Sequence, residues 1–153
     1  MKRSAKPNGN RIAVANKALV VDANILIRAV LGNRVRRVIE RFSDEVVFLV
    51  PELAHREAHR HLIALTEKRG ADPIQALILL ETQVRLCELI GPLIYSQFET
   101  EARARLKTRD PSDWPILATA LVFGCPIWTE DNDFFGCGVA TWTSDRIEIF
   151  LRQ

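Results

Sequence analysis

The chain has 153 residues, of which 48% are apolar and 26% charged, with a net charge of +2. That is enough for one domain with a substantial core and too few for two comfortable ones, and the composition is that of an ordinary globular protein. A charge so near balance excludes an argument for nucleic-acid binding from composition alone, so function has to be read from where particular residues sit.

Residues 1–17 are polar and irregular, with Lys2, Arg3, Lys6, Pro7, Asn8, Gly9 and Asn10, and are expected to form a tail. No apolar stretch follows the basic start, so no signal peptide is expected. Residues 18–153 are expected to form a single domain. Ala18–Val21 is a short apolar run that stops at Asp22, as a buried parallel strand would. A helix is predicted from Asn24 to about Val30, a break at Gly32 and Asn33, and a second helix to about Arg41. Val46–Val50 reads as the second strand, stopped by Pro51, which suits a helix start. The helix after it runs from Glu52 to about Arg69 and stops at Gly70. Asp72 and Pro73 open another helix to about Leu86. Leu89–Tyr95 reads as a short strand interrupted by Gly91 and Pro92. Ser96 and Glu99 have capping-box spacing for a helix through Leu106. A helix from Asp113 to Phe123 ends at Gly124. Pro126–Thr129 and Val139–Trp142 are the last strands, and Ser144 or Asp145 is expected to cap a terminal helix. Alternating strands and helices predict an α/β fold with a mainly parallel sheet covered by helices on both faces.

In such sheets ligands bind beyond the carboxyl ends of the strands. Asp22 and Asp131 each follow an apolar strand directly and should project at that edge. Asp113 heads a stripe of Ile116, Leu117, Ala120 and Leu121 at helical spacing, so it belongs to the core-facing side of its helix. Asp110 fits the role of a helix-start acid better, yet it also lies close enough to join Asp113. Glu57 flanks the stripe Ala54, Ala58, Leu62 and Leu65, at the margin of the core. Carboxylates brought within 4 Å repel by about 4 kcal/mol at an effective dielectric of 20, so a cluster of them calls for a cation or for protonation. Oxygen donors without a Cys or His pair suit Mg²⁺ or Mn²⁺, and the chemistry implied is phosphodiester hydrolysis.

Other features point elsewhere less well. His55, Glu57 and His59 do not have the His-Glu-x-x-His spacing of a zinc hydrolase, because Glu57 lies two residues from each histidine. A phosphate-acceptor reading of Asp22 would need a lysine beyond a later strand, and none is there. Trp114, Trp128 and Trp142 are expected in the core. Cys87, Cys125 and Cys137 form neither a metal-spaced pair nor an even disulfide set, which suits a reducing, cytoplasmic setting. No apolar run is long enough to cross a membrane. Three basic groups, Arg34/Arg36/Arg37/Arg41, Arg56/Arg60/Lys68/Arg69 and Arg103/Arg105/Lys107/Arg109, are placed as solvated helix faces or as tracks for a phosphate backbone.

Four segments together resemble a known family. They are Val20-Val21-Asp22-Ala23-Asn24, Glu57 within 51–62, Arg109-Asp110-Pro111-Ser112-Asp113-Trp114, and Trp128-Thr129-Glu130-Asp131-Asn132-Asp133-Phe134. In this order and spacing the chain resembles the PIN domain over about residues 18–150, and within it the VapC-like toxin ribonucleases. The resemblance implies a Mg²⁺- or Mn²⁺-dependent endoribonuclease, the toxin of a type II toxin–antitoxin pair. It implies Asp22, Glu57, Asp113 and Asp131 as catalytic and metal-binding acids, Asn24 and Thr129 as supporting hydrogen-bonding residues, and Asp133 as an extra acid. An RNA substrate, a small antitoxin protein and a homodimer are the partners it implies. The alternative is a PIN-like module that binds nucleic acid or protein without cleaving. The polar N-terminal extension and residues 71–95 depart from the short toxins.

Overall fold

The computed structural model describes residues 17–153. The expected tail at residues 1–16 lies outside the described residues. Lys17 is firmly held: its Nζ donates to the carbonyls of Phe150 (2.6 Å) and Gln153 (3.0 Å) and lies 4.8 Å from the centre of the Phe150 ring.

The first half of the chain builds strand β1 (Ala18–Val21), helices α1 (Ala23–Leu31) and α2 (Arg34–Phe42), strand β2 (Val47–Pro51), and helices α3 (Glu52–Lys68) and α4 (Ile74–Val84). The second half builds β3 (Glu88–Ile90), α5 (Pro92–Tyr95), α6 (Glu99–Leu106), α7 (Trp114–Phe123), β4 (Ile127–Trp128), β5 (Thr141–Trp142) and α8 (Ile147–Leu151). The five strands form one sheet in the order β3-β2-β1-β4-β5, and every pairing is parallel.

Burial explains why these runs are apolar throughout. Successive strand residues point to opposite faces. Leu19, Val20 and Val21 are all fully buried, as are Phe48, Leu49 and Val50, so both faces of the central strands are covered. Helices α1–α4 pack among themselves, while α5–α7 form a second group against β1 and β2. Right-handed crossovers require this division. The chain moves outward from β1 to β2 to β3 with α1–α4 on one face, then reverses to β4 with α5–α7 on the other.

That reversal creates the feature that positions the site. The sheet's order changes direction between β1 and β4, and a crevice opens there beyond the carboxyl ends of the two strands. Asp22 follows β1, and Thr129 follows β4.

Several local expectations are corrected. The run 89–95 is not one interrupted strand. β3 ends at Ile90, and Pro92 sits at the first helical position of α5, where its missing N–H costs nothing. No capping box forms at Ser96 and Glu99, because Ser96–Phe98 makes a 3₁₀ turn that feeds α6 without a side-chain cap. Neither Ser144 nor Asp145 caps α8, whose N-cap is Arg146. Ser144 is engaged elsewhere: its Oγ accepts from the Trp128 indole (3.1 Å) and its N–H donates to Glu130 (2.6 Å). Pro51 is the last residue of β2 rather than the first of α3, paired with Ile90 at the register end. α7 starts at Trp114, preceded by a 3₁₀ turn over Pro111–Asp113. It ends at Gly124, whose φ of 61° is the left-handed stop that glycine accommodates without strain.

Of the three tryptophans, Trp128 is fully buried, while Trp114 and Trp142 are half-buried against Tyr95 and Phe150. No disulfide joins the three cysteines. Among the described residues no helix is long and apolar enough to cross a membrane.

Candidate active site

The crevice is organised from its floor, Asp22. Only 5% exposed, it caps α1: Oδ1 accepts from the Ala23 N–H (2.7 Å), and Oδ2 accepts from Asn24 Nδ2 (2.9 Å) and Thr129 Oγ1 (2.7 Å). The Thr129 hydroxyl, 2% exposed, also accepts from the Asp131 N–H (2.9 Å) and from Asn24 Nδ2 (3.3 Å). Asn24 Oδ1 accepts in turn from the Glu130 N–H (3.2 Å). Two residues, one on each side of the reversal, thus lock the end of β1 to the loop after β4. Substituting Thr129→Val removes a donor to a buried carboxylate and an acceptor for the partly buried Asp131 N–H. We expect this to cost about 1–3 kcal/mol in denaturant unfolding. A change within experimental error would show that the hydroxyl does not hold the two strand ends together.

The second group comes from the turn before α7 and the loop after β4. Asp110 Oδ1 accepts from the N–H (3.1 Å) and hydroxyl (2.6 Å) of Ser112, which fixes the turn. Asp131 Oδ1 accepts from the Asp133 N–H (2.9 Å), and Asn132–Phe134 form a 3₁₀ turn. Arg109 bridges the two loops by donating to the Asn132 carbonyl (3.2 Å). With the loops so placed, carboxylate oxygens of Asp110, Asp113 and Asp133 all lie within 4.8 Å of one another, Asp110 exposed and the other two half-buried. The closest trio therefore pairs Asp113 with the two acids that the sequence puts in supporting places.

Electrostatics tie the remaining acids to this group. The Asp113 carboxyl is pushed up to about 7, first by burial, then by the negative charges of Asp22, Asp110, Asp131 and Glu57. Asp22 is raised by burial and by Asp131, against the lowering effect of its hydrogen bonds from Thr129, Ala23 and Asn24. Glu57, half-buried on the first turns of α3, is raised by burial and by Asp22 and Asp110, with Arg60 opposing. Carboxyl groups from β1, α3, the turn before α7 and the β4 loop thus share one field. Burial and mutual repulsion leave the negative charge undercompensated, and every donor in the group is a carboxylate oxygen. That donor set fits a hard divalent cation such as Mg²⁺ or Mn²⁺.

Two contributors carry no signal of their own in the sequence. Arg109 reads there as one of a basic group, and Glu130 only as a residue of the segment 128–134. The structure makes Arg109 a clip between the acidic loops and Glu130 a link from the β4 loop to Ser144. His55 is engaged elsewhere, its Nε2 2.6 Å from Glu81 of α4.

Solved structures share this architecture. VapBC2 from Rickettsia felis, determined bound to a DNA fragment from their promoter, is similar with a TM-score of 0.66 at 13% identity, over 82% of this chain and 98% of that one. PAE2754 from Pyrobaculum aerophilum is similar with a TM-score of 0.68 at 16% identity, over 89% of this chain and 90% of that one. FitAcB from Neisseria gonorrhoeae has a TM-score of 0.61 at 18% identity, over 82% of this chain and 97% of that one. Identities this low establish a common fold and no more. No curated protein matches the sequence significantly. The family described as "PIN domain" matches residues 20–152, nearly the whole described chain. This protein therefore belongs to the PIN-domain family, a family of nucleases.

Proposed function

We propose that this chain is a Mg²⁺- or Mn²⁺-dependent endoribonuclease and the toxin of a type II toxin–antitoxin pair. The observation that carries the proposal is the gathering of carboxylates at the strand-order reversal, where burial first and the neighbouring charges next push the Asp113 carboxyl up to about 7. Asp22, Asp113, Asp131 and Glu57 are the catalytic and metal-binding acids in this reading. Asp110 and Asp133 complete the cluster, and Asn24 and Thr129 support it. Bound there, the cation supplies neutralising charge at the phosphate oxygens and water of lowered pKa.

The chain's own residues do the rest. Thr129, Asn24 and the Ala23 N–H hold the Asp22 carboxylate in one orientation, so it presents fixed negative charge without reorganising. Arg109 keeps the loops bearing Asp110 and Asp133 in register. Asp113 and Glu57, both raised, are the carboxylates suited to orient the attacking water and accept its proton. The water oxygen bonds to phosphorus as one P–O ester bond breaks, and the leaving oxygen takes up a proton. The fold likeness to VapBC2 and FitAcB supports the toxin reading and a small antitoxin as partner. β3 is an edge strand, and Leu89, Leu93 and Ile94 stand exposed beside it, as apolar surface for a protein partner such as the antitoxin or a second copy of the chain. A cytoplasmic location goes with this role.

Calorimetric titration tests the metal requirement. Wild-type protein at pH 7.5 should bind Mn²⁺, and Asp22→Ala should bind it far more weakly. Absence of any binding heat at millimolar Mn²⁺ would instead favour a module that binds without cleaving.

A further inference from the structure

The three basic groups of the sequence turn out to be different in kind. Arg56 pairs with Glu52 (2.6 Å), and Arg60 lies close enough to Glu57 to oppose its upward shift. Arg103 pairs with Glu99 (3.7 Å) and stacks 5.2 Å from the Trp114 ring centre. Arg105 binds Glu101 (2.6 Å) and the Cys137 carbonyl (3.0 Å), and Arg109 binds Asn132. Apart from Arg60, these guanidinium groups make ion pairs, ring contacts or hydrogen bonds within the protein.

Arg34, Arg37 and Arg41 differ in having no ion pair among the described residues, although Arg41 also lies over the Phe42 ring. They are exposed, and among the described residues none of them has a carboxylate within ion-pair distance. Residues 1–16 contain no Asp or Glu that could supply one. The exposed Asp145 is held low mainly by its hydrogen bond from Thr143, and Arg34 is a lesser influence on it. At positions i, i+3 and i+7 the three arginines share one face of α2, opposite the buried Val35, Ile39 and Phe42. They line a cavity of about 420 Å³ between α2 and α8, together with Asn33, Val38 and Glu148. Glu148 is itself paired with Arg152 (3.4 Å), and Arg152 and Arg41 both flank Phe42, at 5.7 and 5.3 Å. Lys17 is bonded to this same helix α8. From Arg34 to Arg41 the three arginines form a row roughly 10 Å long at about 1.5 Å per helical residue, which suits a polyanionic strand better than a single carboxylate or phosphate.

We propose that the α2–α8 groove is a second RNA-binding site, in which Arg34, Arg37 and Arg41 grip the phosphodiester backbone of the substrate strand away from the acidic crevice. The choice of RNA as the polyanion rests on the nuclease reading above. Guanidinium forks match phosphate geometry, and no exposed aromatic lines the groove, so the contact is with backbone and insensitive to base sequence. The groove lies towards the amino side of the sheet. α1 leaves the carboxyl edge after Asp22 and runs back, so Asn33 and Arg34 come at its far end, and Lys17 directly precedes β1. A strand reaching both sites crosses at least the length of a β-strand here, roughly 15 Å at about 3.3 Å per residue. A strand that engages both sites is therefore longer than one that fills the groove alone.

The test reads binding without cleavage, in EDTA, by anisotropy of a 5′-labelled single-stranded RNA of 30 nucleotides. The variant R34Q/R37Q/R41Q should bind the 30-mer about tenfold or more weakly. The slope of log K against log salt should become shallower by about 2, for three phosphates at about 0.7 each. The thermal midpoint should not change, and R34K/R37K/R41K should recover most of the affinity for the 30-mer. An unchanged affinity and salt slope overturns the proposal, as does failure of the wild type to bind the 30-mer. Tighter wild-type binding of polyglutamate than of RNA, lost in the glutamine variant, overturns it in favour of an acidic polypeptide. If the arginines prove necessary for RNA binding while wild type with Mn²⁺ cleaves nothing, this site stands and the nuclease reading fails.

Discussion

Asp113→Asn should lower Mn²⁺-dependent RNA cleavage by at least about 100-fold while making the metal-free protein more stable at pH 8. The two effects have one cause. Asp113 lies against Asp110 and Asp133, and burial first, then the charges of Asp22, Asp110, Asp131 and Glu57, raise its pKa to about 7. Above that pH its ionised form is held in the fold against burial and repulsion. Asparagine has nearly the same shape and removes the charge, so without metal the strain is relieved. With metal the same substitution deletes a ligand. Loss of a group that only supports a metal ligand typically costs 10–100-fold, so loss of the ligand itself should cost more. Cleavage rates and thermal midpoints in EDTA measure the two halves. A variant that cleaves like wild type, or whose metal-free midpoint falls, would remove Asp113 from the cluster.

Lowering the pH should stabilise the metal-free protein and weaken its grip on Mn²⁺. The folded Asp113 carboxyl titrates near 7 against an ordinary value of 3.8, and Asp22 and Glu57 are shifted in the same direction. A carboxyl with a raised folded pKa favours the protonated form. Its destabilising effect is absent below about 3.8, grows between there and about 7, and is complete above 7. The midpoint in EDTA should therefore be higher at pH 5.5 than at pH 8, by several degrees for a chain of this size once the half-exposure of Asp113 is allowed for. Metal must displace the same proton. Mn²⁺ affinity should fall roughly tenfold per pH unit below 7, or about 30-fold between pH 8 and 5.5 for one proton. Calorimetry at the two pH values, with buffers of different ionisation heat to count released protons, measures this. Equal affinity at both would mean that Asp113 is not titrating at the metal site.

The central architecture was legible in the sequence because β1 and β2 are buried on both faces and so read as uninterrupted apolar runs. Asp22 was placed by the abrupt end of β1. Helical phase is a weak guide to Asp113. Residues 115–120 of α7 are all buried, so helical phase does not single out one face, and the position at the helix start matters more. Asp110 and Asp133 look like ordinary turn acids, and locally they are: Asp110 caps its turn through Ser112, and Asp133 donates its N–H to Asp131. Only the approach of two loops 20 residues apart in sequence, clipped by Arg109, brings them together, and no local pattern encodes that. The misread capping signals share a cause. Ser96 and Ser144 have side chains that suit a cap, but a 3₁₀ turn takes the place of the first cap, and the buried Trp128 indole claims the second hydroxyl.

The central claim is that these acids make a metal-dependent ribonuclease. Its most direct test is cleavage of single-stranded RNA by the purified chain in Mn²⁺ and in EDTA, beside Asp22→Ala at equal concentration. The account predicts internal cleavage by the wild type in Mn²⁺, none in EDTA, and none by Asp22→Ala in either. Equal cleavage by Asp22→Ala, or cleavage that survives the chelator, would contradict it.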